Sequence, residues 1–348
     1  MKRAKIGILT GGGDCPGLNA TIRSVTKSAD VEGIEVFGIS QGFLGLYENQ
    51  ISRISLREVS GVLPQGGTIL GSSRFNPFKR DEILEVCLDH YKKAGLDGLV
   101  VIGGDGTLGI ANDLWQKHQL PVIGIPKTID NDVYGTDRTI GFYTAVQTCV
   151  DAIDKLHTTA ESHNFIMVVE LMGRHCGFLA AYAGMAGGAD FILIPEVEVT
   201  VNQMVGSLKE RHGRGKNFSI VVVAEDAKLY DDKGQEVVST PTYKDEYGKI
   251  KLGGVGQLVA DVIKNELGYE TRYTNLGHVQ RGGSPVAIDR LLATSFGCAA
   301  IELVQKNVWG ALLAYEKGGV VAKHISVVRD GKKTLPVGYY KMAQRFFR

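Results

Sequence analysis

Short apolar, β-branched runs at Ala4–Thr10, Val36–Ile39, Gly98–Ile102 and Val122–Ile125 alternate with longer stretches such as Asn19–Asp30 and Asp81–Ala94, where apolar residues recur at helical spacing. The runs predict strands and the stretches predict amphipathic helices. Strand–helix alternation of this kind predicts a mainly parallel sheet with helices on both faces. The pattern resumes at Asn164–Glu170, Phe191–Ile194 and Phe218–Ala224, which predicts a second α/β domain. A chain of 348 residues is also long for a single core, and two doubly wound domains fit it. Residues 226–254 differ in character, being charged and weakly periodic, and predict a surface hairpin or flexible excursion.

Composition narrows the function classes. Hydrophobic residues make up 44% and charged residues 22%, ordinary values for a soluble globular protein. The formal net charge of +1 gives no overall field to recruit nucleic acid or an anionic membrane, so any anion must be held by local groups. The apolar run near the N-terminus ends in glycines after a few residues, too short for a signal-peptide core or a membrane span. Five cysteines are scattered with no CxxC pair, as expected of free thiols in a reducing cytoplasm.

The 45 glycines cluster where strands end, and in open α/β sheets ligands bind beyond the carboxyl ends of the strands. The first cluster, Gly11-Gly12-Gly13-Asp14-Cys15-Pro16-Gly17, joins a strand to a helix. Glycines permit close backbone approach, and a helix N-terminus favours an anion, so the loop has the outline of a phosphate cradle. It lacks the Gly-Lys-Ser/Thr of a Walker loop and equally fits a tight turn that binds nothing. Cys15 fits a small residue in that turn better than a reactive thiol. The second cluster, Gly103-Gly104-Asp105-Gly106-Thr107, adds a carboxylate suited to a metal on phosphate oxygens, or to capping the next helix. The third, Pro126-Lys127-Thr128-Ile129-Asp130-Asn131-Asp132, sets two carboxylates around an Asn, suited to a general base or to an Asx turn, and the strand before it places the turn at a sheet edge. Met172-Gly173-Arg174-His175-Cys176-Gly177 and Gly277-His278-Val279-Gln280-Arg281-Gly282-Gly283 supply arginines that bind phosphate bidentately. His175 and His278 fit substrate-contacting or structural roles as well as general acids, and no Cys/His spacing suggests zinc.

In order along nearly the whole chain, LTGGGDCPGLNATIRS, LGSSRF, VIGGDGT, PKTIDND, GTDRTIGF, ELMGRHCG, ETRYTNLGHVQRGGSP and DR closely resemble the phosphofructokinase superfamily. The resemblance implies two domains with the active site in the cleft between them: residues 1–141 with 280–330 for the phosphoryl donor, and 142–279 with 331–348 for the sugar phosphate. It implies transfer to the 1-hydroxyl of fructose 6-phosphate, with Asp130 as general base and Thr128 and Asp132 supporting substrate and metal. Asp105 would bind Mg²⁺. Gly12, Arg74, Phe75, Gly104, Asp105, Gly106 and Thr107 would hold the donor. Arg174 would neutralise charge on the transferred group, with Lys127 nearby. Met172, Gly173, Glu225, Arg272, His278 and Arg281 would hold the sugar phosphate, some of the basic groups reaching across a subunit interface of a homo-oligomer, dimer or tetramer.

Two positions bear on the donor. Gly106 resembles the ATP branch of the family, where the pyrophosphate branch carries an Asp that crowds the α-phosphate. Lys127 resembles the pyrophosphate branch. A cation does not exclude ATP whereas a carboxylate does, so ATP is the expected donor and pyrophosphate the alternative. Ile110 departs from the ATP pattern, which has Gly where adenine packs. Phe165 replaces an Arg that in the bacterial pattern reaches the sugar 6-phosphate, which opens sedoheptulose 7-phosphate as an acceptor. Arg23, Lys27, Asp190, Arg214 and Lys216 resemble parts of the bacterial effector site, with Leu56 in place of an Arg and Arg57 beside it; they equally fit solvated surface charges. A non-catalytic sugar-phosphate or nucleotide-binding regulator on the same fold is the competing class, and the intact Asp105, Asp130, Asp132 and Arg174 oppose it.

Overall fold

The structure, a computed structural model, describes residues 3–237 and 253–347. The chain divides into two compact units, residues 1–144 with 281–333 and residues 145–280 with 334–348.

The strands, in chain order, begin with β1 (Lys5–Gly11), β2 (Glu35–Ile39), β3 (Ile51–Arg53), β4 (Gly98–Gly103) and β5 (Val122–Pro126). They continue with β6 (Ile166–Leu171), β7 (Phe191–Leu193), β8 (Val199–Thr200), β9 (Ser219–Ala224), β10 (Leu229–Tyr230) and β11 (Thr271–Asn275), and end with β12 (Ala311–Glu316) and β13 (Gly319–His324). The helices are α1 (Leu18–Val31), α2 (Phe43–Tyr47), α3 (Asp81–Lys93), α4 (Asp105–His118), α5 (Phe142–His163) and α6 (Phe178–Ala186). After them come α7 (Val201–Gly213), α8 (Val255–Leu267), α9 (Ala287–Gln305) and α10 (Val337–Gln344).

The first unit is built on a seven-stranded sheet in the order β13-β12-β5-β4-β1-β2-β3. Its interior pairings are parallel, and only β3 and β13 run antiparallel to their neighbours. β1 and β4 are buried along nearly their whole length, which is why they read as continuous apolar runs. From β1 the chain goes to β2 on one side and later returns to β4 on the other. Order therefore reverses between β1 and β4, the switch point at which open α/β sheets bind ligands.

The second unit carries an all-parallel sheet in the order β11-β6-β9-β7. The carboxyl ends of β11, β6 and β9 lie side by side, with Asn275 in register with Glu170 and Leu171 with Ala224. Of the stretch 226–254, residues 238–252 lie outside the described residues. Its earlier part begins as a hairpin: Tyr230 bridges Glu236 antiparallel, and Asp231 Oδ1 accepts from the Lys233 and Gln235 amides at 2.9 and 2.8 Å.

A buried carboxylate ties the first unit together. Asp289, fully buried near the start of α9, accepts from the Gly141 amide (3.2 Å), the Thr144 amide (2.7 Å) and the Thr144 hydroxyl (2.6 Å). Burial raises its pKa, and these donors at the start of α5 act in the opposite sense. Asp289→Ala would remove the buried acceptor of three hydrogen bonds and is expected to destabilise the fold by roughly 2–4 kcal/mol, with Asp289→Asn milder. Thermal denaturation checks this; an unchanged melting temperature in Asp289→Ala would contradict it.

Candidate active site

In the first unit the loops after β1, β4 and β5 are locked to one another. Gly11 and Gly103 are register partners on β1 and β4. A Cβ at Gly11 would lie 2.7 Å from Thr107 Cγ2, and one at Gly103 only 2.3 Å from Thr107 Cβ. Both glycines are therefore required because Thr107, in the first turn of α4, packs against both loops. Gly12 takes φ 82°, its amide donates to Ser73 O at 2.9 Å, and its carbonyl accepts from the Ser72 hydroxyl at 2.6 Å. The LGSSRF segment is thus strapped to the first loop and leaves Arg74 exposed beside it. Phe75 packs against Tyr47 with the rings tilted and their centroids 5.4 Å apart, and both Phe75 and Ile110 pack on the apolar core beneath.

Lys127 differs most from its sequence reading as a cation facing a phosphoryl group. It is 2% exposed, and its ammonium donates to the carbonyls of Gly11 (3.0 Å) and Gly13. Burial pushes its pKa below the ordinary lysine value. Charge is held in the interior because the loop carbonyls solvate it, so Lys127 acts as a strut under the first loop. Arg281 packs on the same loop: a Cβ at Gly13 would meet its Nη1 at 2.8 Å. Cys15 is fully buried, and burial pushes its thiol up to about 12, so it fills a turn and is not reactive.

Gly104 caps α4 and Asp105 is its first residue, yet no side-chain hydrogen bond caps the helix. The Asp105 carboxylate is exposed at the mouth of the loop, which removes the capping reading. At Gly106 a Cβ would meet nothing within 4 Å, so the loop faces open space there.

The Thr128–Asp132 turn lies at the carboxyl end of β5. That strand is interior, between β4 and β12, so the turn is not at a sheet edge as its sequence suggested. Asp130 is 7% exposed; its carboxylate accepts from the Thr128 hydroxyl at 3.3 Å, and its amide donates back to that oxygen at 3.1 Å. Asn131 takes φ 53°, and its side chain donates to Asp137 O at 3.3 Å and accepts from the Thr139 amide at 3.1 Å. Asn131 therefore builds the turn, while Asp130 and the half-buried Asp132 stand on either side of it.

In the second unit a cavity of about 200 Å³ opens at the ends of β6, β9 and β11. Its walls include Met172, Glu225 and His278 from the sequence reading, together with Glu170 and Asn275, which that reading missed. Beside it Gly173 and Arg174 form a tight turn at φ 146° and 51°. The Arg174 amide donates to Glu225 Oε1 at 2.8 Å. Burial raises the Glu225 pKa, partly opposed by the Arg174 and Gly173 amides. Fully buried Gln280 joins the two loops of this wall: its Oε1 accepts from the Met172 amide at 3.1 Å and its Nε2 donates to Gly277 O at 3.0 Å. His175 has a carboxylate partner in Asp226 at 2.7 Å, a pairing the local sequence does not show.

Other residues lie apart from this cavity wall. Arg272 is exposed on edge strand β11, paired with Glu270. Phe165 is buried and stacks on His163 at 6.0 Å, so it belongs to the core of its unit. Asp190 does not fit a surface effector group: it is buried, pairs with Arg211 at 3.0 Å and accepts from the Ile220 amide at 2.9 Å. Among the described residues no cluster of three or more His, Cys, Asp or Glu forms a metal cage, and no helix is long and apolar enough to cross a membrane.

Comparison with known proteins places this geometry. The phosphofructokinase family profile matches residues 5–304. A pyrophosphate–fructose 6-phosphate 1-phosphotransferase of Dictyoglomus thermophilum is 44% identical over 100% of this chain and 99% of its own. An ATP-dependent 6-phosphofructokinase of Spirochaeta thermophila is 47% identical over 95% of this chain and 92% of its own. Among solved structures, phosphofructokinase from Saccharomyces cerevisiae superposes with a TM-score of 0.80 at 32% identity; the match covers 99% of this chain and 47% of the yeast chain, about half its length. The loops at the switch point of the first sheet and the basic turn at the carboxyl edge of the second are those of a lineage that the profile and the relatives identify alike, and the chain belongs to the phosphofructokinase family.

Proposed function

We propose that the chain is a Mg²⁺-dependent 6-phosphofructokinase that transfers the γ-phosphoryl group of ATP to the 1-hydroxyl of fructose 6-phosphate. The observation that carries the choice of donor is the open space at Gly106, which leaves room for the α-phosphate of a nucleotide. The relatives divide between ATP and pyrophosphate, so similarity alone does not choose. Lys127 is the feature that favours pyrophosphate, but its ammonium is committed to loop carbonyls and places no obstacle before a nucleotide.

In this reading Asp130 takes the proton from the 1-hydroxyl as that oxygen bonds to the γ-phosphorus and ADP departs. Thr128 orients the carboxylate through its 3.3 Å hydrogen bond. Gly12, Gly104, Gly106 and Thr107 shape the donor loops, with Arg74 and Phe75 at their flank. Arg281, packed on Gly13, and Arg174 supply positive charge for the transferred group. Met172, Gly173, Glu225 and His278 hold the sugar phosphate, with Asp132 supporting the turn beside the base. Arg272, exposed on an edge strand, serves a site in a neighbouring subunit of a homo-oligomer. The enzyme works in the cytoplasm.

The residues fit the metal. Mg²⁺ uses one or two carboxylates together with phosphate oxygens and water, and Asp105 offers one exposed carboxylate that caps nothing. Bound there, Mg²⁺ would neutralise charge on the donor phosphates.

Phosphorus NMR of the products tests the reading. Incubation with fructose 6-phosphate, ATP and Mg²⁺ is expected to give fructose 1,6-bisphosphate and ADP in equal amounts; ADP and free phosphate without the bisphosphate would contradict it.

A further inference from the structure

Glu170 is fully buried at the end of β6, yet its carboxylate is satisfied from three directions. The Gly254 and Gly256 amides, at the start of α8, donate to it at 3.1 and 2.8 Å. The Tyr273 hydroxyl donates at 3.1 Å and Asn275 Nδ2 at 2.6 Å. Its own carbonyl accepts from the Leu276 amide at 3.2 Å, so the segment leading to His278 is fastened to Glu170 by both main chain and side chain.

Four donors converge on this one carboxylate, which accepts every one of the bonds. It therefore fixes which way the Asn275 amide points: the nitrogen must face Glu170, and the oxygen must face away. That oxygen lies 3.4 Å from the Cβ position of Gly277, and Asn275 and Gly277 both line the cavity with Glu225 and His278. A fixed acceptor among these groups suits a ligand hydroxyl.

We infer that Asn275 is a specificity-determining residue whose amide oxygen accepts a hydrogen bond from a hydroxyl of the acceptor sugar, and that Glu170 is the positioning residue that sets the amide. The inference rests on the reading of this cavity as the sugar-phosphate site. Glu170 acts only through Asn275 in this respect, so the effects of the two residues on sugar binding are not independent.

The test is a double-mutant cycle of Glu170→Gln and Asn275→Ala, with KM for fructose 6-phosphate, KM for the donor, kcat and melting temperature measured for each protein. Asn275→Ala is expected to raise KM for fructose 6-phosphate roughly three- to tenfold, the worth of one neutral hydrogen bond, with donor KM and kcat within about twofold of wild type. Glu170→Gln is expected to raise the same KM, because a side-chain amide no longer dictates the Asn275 orientation. It should also lower the melting temperature, because one of the two oxygens that accept from the Gly254 and Gly256 amides at the start of α8 becomes an NH₂ group. In the Asn275→Ala background Glu170→Gln should still lower the melting temperature but add little to KM. An unchanged sugar KM in Asn275→Ala, or fully additive KM effects, would overturn the inference and leave the sugar-site reading in place. A wild-type protein that neither binds nor turns over fructose 6-phosphate would overturn both.

Discussion

Asp130→Ser is expected to lower kcat by about 10²–10⁴-fold while leaving affinity for fructose 6-phosphate within a few-fold of wild type, the range usual for loss of a general base. The argument starts from the turn. Asn131, in the left-handed region, spends its side chain on Asp137 and Thr139 and so holds the backbone that presents Asp130. Serine keeps that backbone, and its short hydroxyl is a poor base at neutral pH. A base acts on the transition state, so its loss appears in kcat and not in ground-state binding. Rapid-quench and steady-state kinetics, with sugar-phosphate binding measured by calorimetry, separate the two. A variant within tenfold of wild-type kcat would remove Asp130 from the chemistry.

Gly106→Asp is expected to reduce kcat/KM for ATP by about 10²-fold or more, as a carboxylate beside an α-phosphate costs several kcal/mol by like-charge repulsion. The protein itself accommodates the change: an added Cβ meets no atom within 4 Å, and an acidic residue in the first turn of α4 suits the helix dipole. The melting temperature should therefore hold while ATP turnover falls, and any pyrophosphate turnover should fall far less. Equal losses with both donors would show that crowding at this position does not select the donor.

Much of this architecture was legible before the structure. β1, β4, β5 and β9 are buried along almost their entire length, so their apolar runs were strong signals. Two of the elements that escaped carry little burial pattern in their sequences. β11 reads Thr-Arg-Tyr-Thr-Asn with no buried residue, and β13 is mostly exposed. Both are edge strands, recognisable only once a neighbour supplies their pairing. The turn after β5 was placed at an edge because β12, which covers that flank, arrives from a distant part of the chain.

The site shows the same division. The glycine loops and the Thr128–Asp132 turn are local, and residue types at fixed spacing announce them. Partnerships are not local. Nothing in the sequence shows that the Lys127 ammonium lies under Gly11 and Gly13, and a lysine beside a reactive turn naturally reads as facing the ligand. Glu170 and Asn275 were passed over for a related reason: a Glu in an apolar strand and an Asn in a polar one carry no motif, and only the β6–β11 register brings them together. Phe165 read as the replacement of an Arg that reaches the sugar 6-phosphate, whereas its burial and its stacking on His163 make it part of a core.

The most direct test is the ratio of kcat/KM for ATP to kcat/KM for pyrophosphate, measured at saturating fructose 6-phosphate and Mg²⁺ with the unaltered protein. The open space at Gly106 predicts a ratio well above one, and a ratio well below one would contradict ATP as the donor.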